Sequence, residues 1–317
     1  MLEKIFQESY DVLKEAVSNC KGTTLALSGG LDSSIIAYFL KEKKCDAVSI
    51  TTEDFIATDL TFSQLIAKKF NLNLQMKIVS IENLLSAIEE TIQILKVFNN
   101  IEIRNSVISY LAIKNAKENG QNRIITGDGA DELFAGYSFF LKKNNEDLQK
   151  DLERIWNIMH FPSKIIGQDL GIIVETPFLE NKVIEFAKKL PVSLKVGKKD
   201  EKKYGKWILR KTFENKLPET IIWRDKSPMQ DGAGTSGLTQ LFNILISDDV
   251  FNSKIKKIQE SDNITIQSKE SLHYYEIYRK YFEPPFKLHL SKNKCPNCKF
   301  EVKVGSRFCR MCGSFPI

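Results

Sequence analysis

The sequence predicts an α/β fold in which a parallel sheet is covered by helices on both faces. Between residues 20 and 126, short runs of apolar and β-branched residues alternate with longer segments whose apolar residues recur at helical spacing. Glycine-containing turns directly follow the first and the fourth of these predicted strands. Because consecutive strands joined through a helix run parallel, with the helices covering the sheet, this alternation predicts a parallel sheet.

The predicted elements follow one another along the first half of the chain. A helix leads into the first strand, and each later strand is reached through at least one helix. A polar interval at residues 99–105 separates the last two of these helices. The predicted helices cover residues 2–19, 33–40, 60–70, 81–97 and 107–117, and the predicted strands cover residues 23–27, 47–51, 73–79 and 123–126.

Two later stretches carry less specific patterns. Residues 195–206 are rich in lysine and predict a solvated loop, placed where it could approach an acidic substrate. Residues 237–282 have the pattern of helices, and the tyrosines near their end can share one helix face. That face predicts either a helix packed on the core or, because Arg279 and Lys280 interleave with it, a surface that stacks on nucleic acid.

Composition narrows the class of protein. The 317 residues, of which 42% are hydrophobic, can bury a large core. A formal net charge of +6 is compatible with a nucleic-acid partner without requiring one. No apolar run approaches the roughly 20 residues of a membrane-spanning helix, and the N-terminal stretch is acidic and helical in pattern rather than a signal peptide. We therefore expect a cytoplasmic protein with no membrane partner.

The turn after the first strand reads SGGLDSS and has the composition of a phosphate site. Paired glycines let the backbone approach an anion, the N–H groups of the following helix point at it, and hydroxyls add donors. Asp32 would repel phosphate unless a divalent cation lay between them, which indicates a magnesium-bridged nucleotide. The alternative is a tight strand-to-helix turn that Asp32 caps. The candidate binding residues are Ser28, Gly29, Gly30, Ser33 and Ser34.

The turn after the fourth strand, at residues 126–137, concentrates three carboxylates among three glycines. Such a concentration of like charge is costly unless a metal ion or a substrate amine compensates it. Because ligands of parallel sheets gather at the carboxyl ends of the strands, this turn and the first should converge on one site that includes Gly127. The alternative is an acidic turn that caps a helix beginning at Asp131.

The two turns together resemble a known family. SGGLDSS followed about a hundred residues later by GDGADELFAGY is similar to the synthetase domain of glutamine-dependent asparagine synthetases, a branch of the PP-loop ATP pyrophosphatases. Three more segments extend the resemblance in the same order, so that it covers residues from about 20 to 245. These segments are ETPFLE at 175–180, ILR through WR at 208–224, and SPMQDGAG at 227–234 after Lys226.

The resemblance implies a PP-loop fold and an ATP-dependent carbon–nitrogen ligase with ATP and Mg²⁺ as cofactors. In that family a carboxylate attacks the α-phosphorus of ATP, pyrophosphate leaves, and ammonia or an amine converts the acyl-adenylate into an amide and AMP. Asp32 and Asp131 match the aspartates that hold magnesium, and Lys226 matches a lysine that stabilises the charged states. Asp128 stands where many members carry a glutamate that takes a proton from the amine, so we expect a catalytic base there.

Glutamine-dependent members begin with an amidohydrolase domain whose N-terminal cysteine releases ammonia from glutamine. This chain has Leu2 at that position and reaches the first turn within thirty residues, so we expect that domain to be absent. Nitrogen would then come from free ammonia, another amine or a separate glutaminase subunit. The acyl substrate would be a small-molecule carboxylate resembling aspartate.

The C-terminal tail carries two C-x-x-C pairs, formed by Cys295 with Cys298 and by Cys309 with Cys312. Paired knuckles at this spacing supply four thiolates in tetrahedral geometry, which predicts a structural zinc ribbon rather than a disulfide or redox pair. Zinc (Zn²⁺) would provide most of the folding free energy of so short a tail. We expect a synthetase domain at residues 1–285, followed by a linker and the ribbon at 286–317.

Three interpretations of the function are open at this point. The first is the AMP-forming ligase described above. In the second, the same core adenylates a tRNA base, and the ribbon with its basic linker docks the RNA. In the third, a nucleotide-sensing scaffold binds a protein partner through the ribbon. The presence of Asp32, Asp128, Asp131 and Lys226 in one chain argues against the third.

Overall fold

A computed structural model describes residues 2–288, 293–304 and 306–317 of the chain. The strands are β1 (Thr24–Ala26), β2 (Asp46–Thr52), β3 (Asn73–Val79), β4 (Arg123–Ile125), β5 (Ile173–Glu175), β6 (Val196–Lys199) and β7 (Lys202–Gly205). The helices are α1 (Leu2–Asn19), α2 (Leu31–Leu40), α3 (Asp59–Phe70), α4 (Ile81–Leu95), α5 (Asn100–Glu118), α6 (Ala130–Leu133), α7 (Asn145–Ile158), α8 (Pro162–Leu170), α9 (Asn181–Lys189), α10 (Trp207–Phe213), α11 (Glu219–Ile222), α12 (Met229–Ala233), α13 (Leu238–Leu245), α14 (Asp248–Asp262) and α15 (Lys269–Tyr281).

Five strands form one sheet in the order β3-β2-β1-β4-β5. β1 pairs in parallel with β2 on one side and with β4 on the other, and β4 pairs in parallel with β5. The predicted parallel α/β sheet is confirmed, and β5 extends it beyond the four predicted strands. The chain moves outward from β1 to β3 and then returns to the other side of β1. Ligands of open α/β sheets bind beside such a reversal, at the carboxyl ends of the strands.

Helix α2 begins directly after the turn that follows β1, and it is buried along most of its length. Leu31, Ile35, Ile36, Ala37 and Leu40 are at most 8% exposed. Because the helix is apolar on nearly every side, it must be enclosed, and α1 and α3 pack against it. The enclosure fixes the first turn of α2, whose backbone N–H groups face the carboxyl end of the sheet.

Contacts divide the described residues into two units. The first comprises residues up to Thr51, Ala57–Ile78 and Ala112–Ala233, and it holds most of the sheet. The second comprises Thr52–Ile56, Val79–Leu111 and the described residues from Gly234 onward. The second unit contains α4, α13, α14, α15 and the cysteine-rich tail. The boundary expected between residues 285 and 286 stays a prediction, and residues 289–292 of the expected linker lie outside the described residues.

The break expected at residues 99–105 is shorter and lies earlier, at residues 96–99 between α4 and α5, so residues 100–105 are helical. The Asn99 side chain accepts the N–H group of Ile101 at 3.1 Å and starts α5. The helix packs through Ile103, which is fully buried. The charge of Arg104 is compensated by the buried carboxylate of Glu270, which lies 3.5 Å away. Local composition could not reveal those partners, since Glu270 is distant in the chain.

The lysine-rich stretch at 195–206 is an antiparallel hairpin rather than a solvated loop. β6 pairs with β7 from Val196 opposite Gly205 to Lys199 opposite Lys202. Lys198, Lys202 and Lys203 are exposed, whereas a Cβ atom on Gly197 would lie 2.1 Å from the indole of Trp207. The expectation was wrong because Lys195 and Lys206, at the two ends of the hairpin, are buried.

The tyrosine face of α15 is a packing surface, as the first of the two interpretations predicted. Tyr274, Tyr275 and Tyr278 are at most 1% exposed. The two interleaved basic residues are engaged, because Arg279 lies 3.0 Å from Asp262 and Lys280 lies 3.1 Å from Glu89. These three buried rings are therefore not available for stacking on nucleic acid, whereas Tyr281 at the end of the helix is 46% exposed.

Lys195 is a fully buried lysine in the first unit. Its Nζ atom lies 4.5 Å from the centroid of the Trp156 ring. Within the described part of the chain, that atom has no hydrogen-bond partner. Burial lowers the pKa of the Lys195 ammonium to about 8, because the charged form loses its hydration.

Replacing Lys195 by Met should stabilise the protein near neutral pH. The folded-state pKa lies below the unfolded value of 10.5, so the unfolded chain binds more protons between pH 8 and 10.5 and stability rises with pH there. Lys195→Met should raise the free energy of unfolding at pH 7 by about 3 kcal/mol and flatten that slope. Urea unfolding at several pH values measures both, with exposed Lys203→Met as the control. An unchanged slope would contradict the burial argument.

Candidate active site

The turns after β1 and β4 meet at the carboxyl edge of the sheet. Leu25 and Ile125 are paired in the parallel register, so Ser28 and Gly127 leave neighbouring strands at the same edge. A Cβ atom on Gly127 would lie 3.1 Å from the Cβ atom of Asp32. The absence of a side chain at Gly127 therefore lets the two turns approach each other, and their expected convergence is observed.

The first turn is shaped by Gly29 and by the hydroxyls that flank it. Gly29 has φ +70°, and a Cβ atom there would lie 2.4 Å from backbone atoms of Phe62 and Ser63. The Ser28 Oγ atom accepts the Gly30 N–H group at 3.2 Å, and the Ser33 hydroxyl donates to the Gly30 carbonyl at 3.3 Å. Ser34, also in the first turn of α2, is buried. The turn thus presents the free N–H groups of α2 and two hydroxyls, the donors that bind phosphate.

Two carboxylates, one from each turn, meet on the same ammonium group. The Nζ atom of Lys206 lies 2.6 Å from Asp32 Oδ2 and 2.6 Å from Asp131 Oδ1. A second ammonium, that of Lys226, lies 2.7 Å from Asp131 Oδ2. Asp32, Asp131, Lys206 and Lys226 form what we call the charge cluster.

The charge cluster shifts the pKa values of its members in opposite directions. Burial raises the pKa of both carboxyl groups. At Asp131 the nearby ammonium groups of Lys206 and Lys226 outweigh burial and bring its pKa well below the ordinary value. At Asp32 burial prevails over Lys206, and its pKa is raised. Although burial lowers the pKa of Lys226, the carboxylates of Asp131 and Asp32 raise it above its ordinary value.

The two aspartates are suited to a divalent cation. The Oδ1 atom of Asp32 is buried, and the described residues offer it no hydrogen-bond partner. An orphaned buried carboxylate oxygen is costly, and Mg²⁺ prefers ligands of this kind. The Lys206 ammonium already supplies positive charge between the carboxylates, as a bound cation would. Asp32 and Asp131 could therefore hold Mg²⁺ beside a phosphate bound at the first turn.

Close backbone approaches hold Lys206 in the charge cluster. A Cβ atom on Gly136 would lie 1.9 Å from Asp131 Oδ1 and 2.3 Å from Lys206 Cε, so no larger residue fits there. The Lys206 N–H group donates to the Phe134 carbonyl at 2.9 Å. Ala135 between Phe134 and Gly136 has φ +57°, a left-handed backbone conformation that an alanine adopts only at a cost.

Lys206 was not predicted as a site residue, because the whole lysine-rich stretch at 195–206 was expected to be solvated. The available signal was its position directly before the 208–210 segment. Arg210, in that segment, donates to the Gly205 carbonyl at 2.9 Å and to the Arg224 carbonyl at 3.1 Å. Those bonds tie the end of the hairpin to the stretch that carries Lys226. Both lysines of the charge cluster thus depend on one buried guanidinium.

The other acidic residues of the second turn lie beside the charge cluster. Asp128 accepts hydrogen bonds from Thr126 and Ser163. Glu132 accepts the hydroxyl of Tyr137 and carries a raised pKa, because it is buried. The alternative of a simple capping turn does not account for the contacts of Asp131 with two lysines.

The four tail cysteines form a cluster in the second unit. Their sulfur atoms all lie within 4.8 Å of one another. The distance is 3.7 Å between Cys295 and Cys312 and 3.5 Å between Cys298 and Cys309, and all are free thiols. Four thiolates on a tetrahedral zinc ion stand about 3.8 Å apart, given Zn–S bonds of about 2.3 Å. The cluster could therefore bind a metal ion of this kind.

The tail packs directly on helices of its own unit. The Phe98 N–H group donates to the Met311 carbonyl at 2.9 Å, and the Thr265 N–H group donates to the Asn297 carbonyl at 2.9 Å. Arg310 lies 2.6 Å from the Glu102 carboxylate. The two knuckles thus contact the start of α5 and the segment that joins α14 to α15.

Similarity to known proteins agrees with this geometry. Residues 10–170 and 166–292 match the family described as asparagine synthase. The chain belongs to the asparagine synthase family. Both turns and both lysines of the charge cluster lie within the matched residues.

Individual asparagine synthase relatives are distant in sequence. Asparagine synthetase [glutamine-hydrolyzing] 2 of Lotus japonicus is 28% identical over 282 residues, covering 81% of this chain and 47% of the relative. The Mus musculus asparagine synthetase [glutamine-hydrolyzing] is 27% identical over 277 residues, covering 81% and 48%. A putative asparagine synthetase of Methanocaldococcus jannaschii is 25% identical over 280 residues, covering 74% and 51%. The chain spans about half the length of these curated relatives.

Two solved structures are similar to the chain at a lower level. The NMN synthetase of Francisella tularensis has a TM-score of 0.37 and 13% identity, covering 92% of this chain and 99% of its own. The NH3-dependent NAD synthetase of Campylobacter jejuni has a TM-score of 0.35 and 14% identity, covering 92% and 98%. Because both TM-scores are low, we draw no conclusion about the site from these two structures. Separately, no helix among the described residues is long and apolar enough to cross a membrane.

Substituting Gly29 should be more costly than substituting another glycine with the same backbone conformation. Gly171 has φ +72°, and a Cβ atom there meets nothing within 4 Å, so Gly171→Ala should lose about 1 kcal/mol from backbone strain alone. Gly29→Ala adds the clash with Phe62 and Ser63 and should lose about 2 to 4 kcal/mol. Urea unfolding measures both. Equal losses would show that the close approach at Gly29 is not a constraint.

Proposed function

We propose that this chain carries an ATP-dependent carbon–nitrogen ligase. The enzyme adenylates a small-molecule carboxylate with release of pyrophosphate, and it transfers the acyl group to ammonia or another amine to give an amide and AMP. The observation that carries the proposal is the charge cluster, which stands beside a phosphate-suited turn at the reversal of the sheet. Membership of the asparagine synthase family supports it.

The proposed nucleotide site uses both turns. The N–H groups and hydroxyls of the first turn bind ATP phosphates, with Gly127 leaving room for them. Mg²⁺, when bound by Asp32 and Asp131, neutralises phosphate charge and makes pyrophosphate a better leaving group. The nucleotide-binding residues are Ser28, Gly29, Gly30, Asp32, Ser33, Ser34, Gly127 and Asp131.

Adenylation needs positioning and charge stabilisation more than covalent chemistry by the protein. A carboxylate oxygen forms a bond to the α-phosphorus of ATP as the bond to pyrophosphate breaks. Negative charge then grows on the phosphate oxygens, where the ammonium groups of Lys206 and Lys226 stabilise it. The role of Lys206 here is an addition to the sequence-based assignment.

Amide formation follows in the same site. The amine nitrogen attacks the acyl carbonyl, AMP leaves with the former phosphate–acyl oxygen, and the nitrogen loses a proton. We assign Asp128 as the base that takes that proton. Ammonia, another amine or a separate glutaminase subunit remains the proposed source of nitrogen, in a cytoplasmic setting.

Zinc is the proposed ion of the cysteine cluster, with Cys295, Cys298, Cys309 and Cys312 as ligands. A closed set of four thiolates leaves no open position for catalysis, so its role is structural. The alternative in which the ribbon docks tRNA gains no support: Arg310 contacts Glu102 in α5, and the Asn297 backbone contacts the segment between α14 and α15. We therefore propose that the ribbon stabilises those helices.

Asp131→Asn tests the proposed chemistry. Purified protein with ATP, Mg²⁺, ammonium and a panel of carboxylates including aspartate should release pyrophosphate and AMP. A neutral amide at this position cannot supply the charge that holds magnesium and the lysines, so the rate should fall at least about 100-fold. Phosphate-coupled detection of pyrophosphate measures it. Asp169→Asn, an exposed change on α8, should leave the rate unchanged.

Either of two results would contradict the proposal. Full activity of Asp131→Asn would show that Asp131 is not a magnesium ligand. Pyrophosphate release that required added tRNA and no carboxylate in the panel would favour a base-adenylating enzyme.

Cys309→Ser tests the zinc site and its proposed role. Zinc content, measured by mass spectrometry, should fall from about one ion per chain to nearly none. The amide protons of Phe98 and Thr265, which donate to tail carbonyls, should lose protection in hydrogen exchange. Cys20→Ser should change neither, since Cys20 lies outside the cluster. Unchanged protection after zinc loss would show that the metal does not hold the tail on the helices.

A further inference from the structure

Asp128 is held by two hydroxyl groups that bind the same oxygen atom. Its Oδ2 atom accepts hydrogen bonds from Thr126 Oγ1 at 2.9 Å and from Ser163 Oγ at 2.5 Å. Both of the hydrogen bonds that the described residues give to this carboxylate end on Oδ2. The Oδ1 atom is thereby the oxygen available to accept a proton.

The two hydroxyls come from different parts of the fold. Thr126 lies two residues before Asp128 in the same turn, so its hydrogen bond moves with the turn. Ser163 lies 35 residues further along the chain, in the first turn of α8, and is 3% exposed. It is the only one of the two that ties Asp128 to a separate element.

Helix α8 is a rigid support for that hydroxyl. It begins at Pro162, whose fixed φ suits the first position of a helix, and ends at Leu170, with Gly171 as its C-cap. A Cβ atom on Gly167 would lie 2.5 Å from the Val174 side chain, so the helix lies directly on β5. Through Ser163, the orientation of Asp128 is therefore fixed relative to the sheet on which α8 packs.

Orientation matters for a base of this length. The final torsion of an aspartate is soft and roughly two-fold, so an untied carboxylate presents either oxygen over a broad range of angles. Asp128 has a side chain one methylene shorter than that of glutamate, so it cannot compensate for a poor orientation by its reach. Two donors on one oxygen restrict the plane of the carboxylate and leave the other oxygen without a hydrogen bond from the described residues.

We infer that Ser163 is a positioning residue that orients Asp128 for proton removal from the attacking amine. The inference rests on the proposed function, in which Asp128 is the base. Ser163 acts only in the second half-reaction, because Asp128 takes a proton after pyrophosphate has left. Loss of its hydroxyl should therefore slow amide formation and spare adenylation.

Ser163→Ala in the full chain tests this separation of the two steps. The probes are ATP, Mg²⁺, labelled pyrophosphate, ammonium and aspartate, or the panel member that supports exchange. We expect amide formation to fall about 10- to 100-fold, as for a misplaced catalytic group, with the ATP–pyrophosphate exchange rate retained. Retained exchange also shows that the variant is folded. Ser163→Thr, which keeps the hydroxyl, should recover most of the loss.

Two further variants distinguish a failure of the inference from a failure of the proposed function. Ser9→Ala, a buried serine of α1 in the same unit, should leave both rates unchanged. Asp128→Asn should lower amide formation at least as much as Ser163→Ala.

The outcomes separate the two claims. If Asp128→Asn has no effect, the base assignment in the proposed function is wrong. If Asp128→Asn is slow and Ser163→Ala forms amide at the unaltered rate, the inference about Ser163 is wrong. Equal losses of exchange and amide formation would also overturn it.

Discussion

The repulsion between Asp32 and Asp131 is the constraint on which the site depends. The parallel register of β1 and β4 delivers one carboxylate from each turn to the same edge of the sheet, and both are largely buried. Two buried like charges are tolerable only with opposite charge in contact. The ammonium of Lys206 provides that contact at 2.6 Å to each. The site that we propose for phosphate and a cation is therefore already organised around paired charge.

Much of the first unit serves to place that ammonium. The β6–β7 hairpin brings Lys206 to the second turn, and Gly136 leaves the space that its side chain occupies. The buried guanidinium of Arg210 joins the end of the hairpin to the backbone that leads to Lys226. Because these contacts share residues, a change in one displaces the others. The same dependence on packing applies to Asp128, whose orientation is set by Ser163 from α8.

In the second unit, the cysteine cluster of the tail is attached to the rest of the unit by backbone hydrogen bonds. The cysteine knuckles close on themselves and also bond through their backbone to the start of α5 and to Thr265. Metal binding by Cys295 and its three partners would then contribute folding free energy to helices outside the knuckles. A short tail with little apolar core is stabilised by this attachment, and the tail in turn covers part of the surface of these helices.

The sequence by itself determined the parallel α/β class, the two turns, their convergence and the four-cysteine cluster. Each follows from residue types at short spacing, which a local pattern encodes. The tertiary structure alone decided that Lys206 is buried against Asp32, a residue 174 positions away, and that Ser163 holds Asp128. It also extended α5 back to Asn100, so that the break before it covers only residues 96–99. Composition reports how polar a segment is, but not which distant partner satisfies its polar groups, so only packing could distinguish a solvated lysine from the centre of the site.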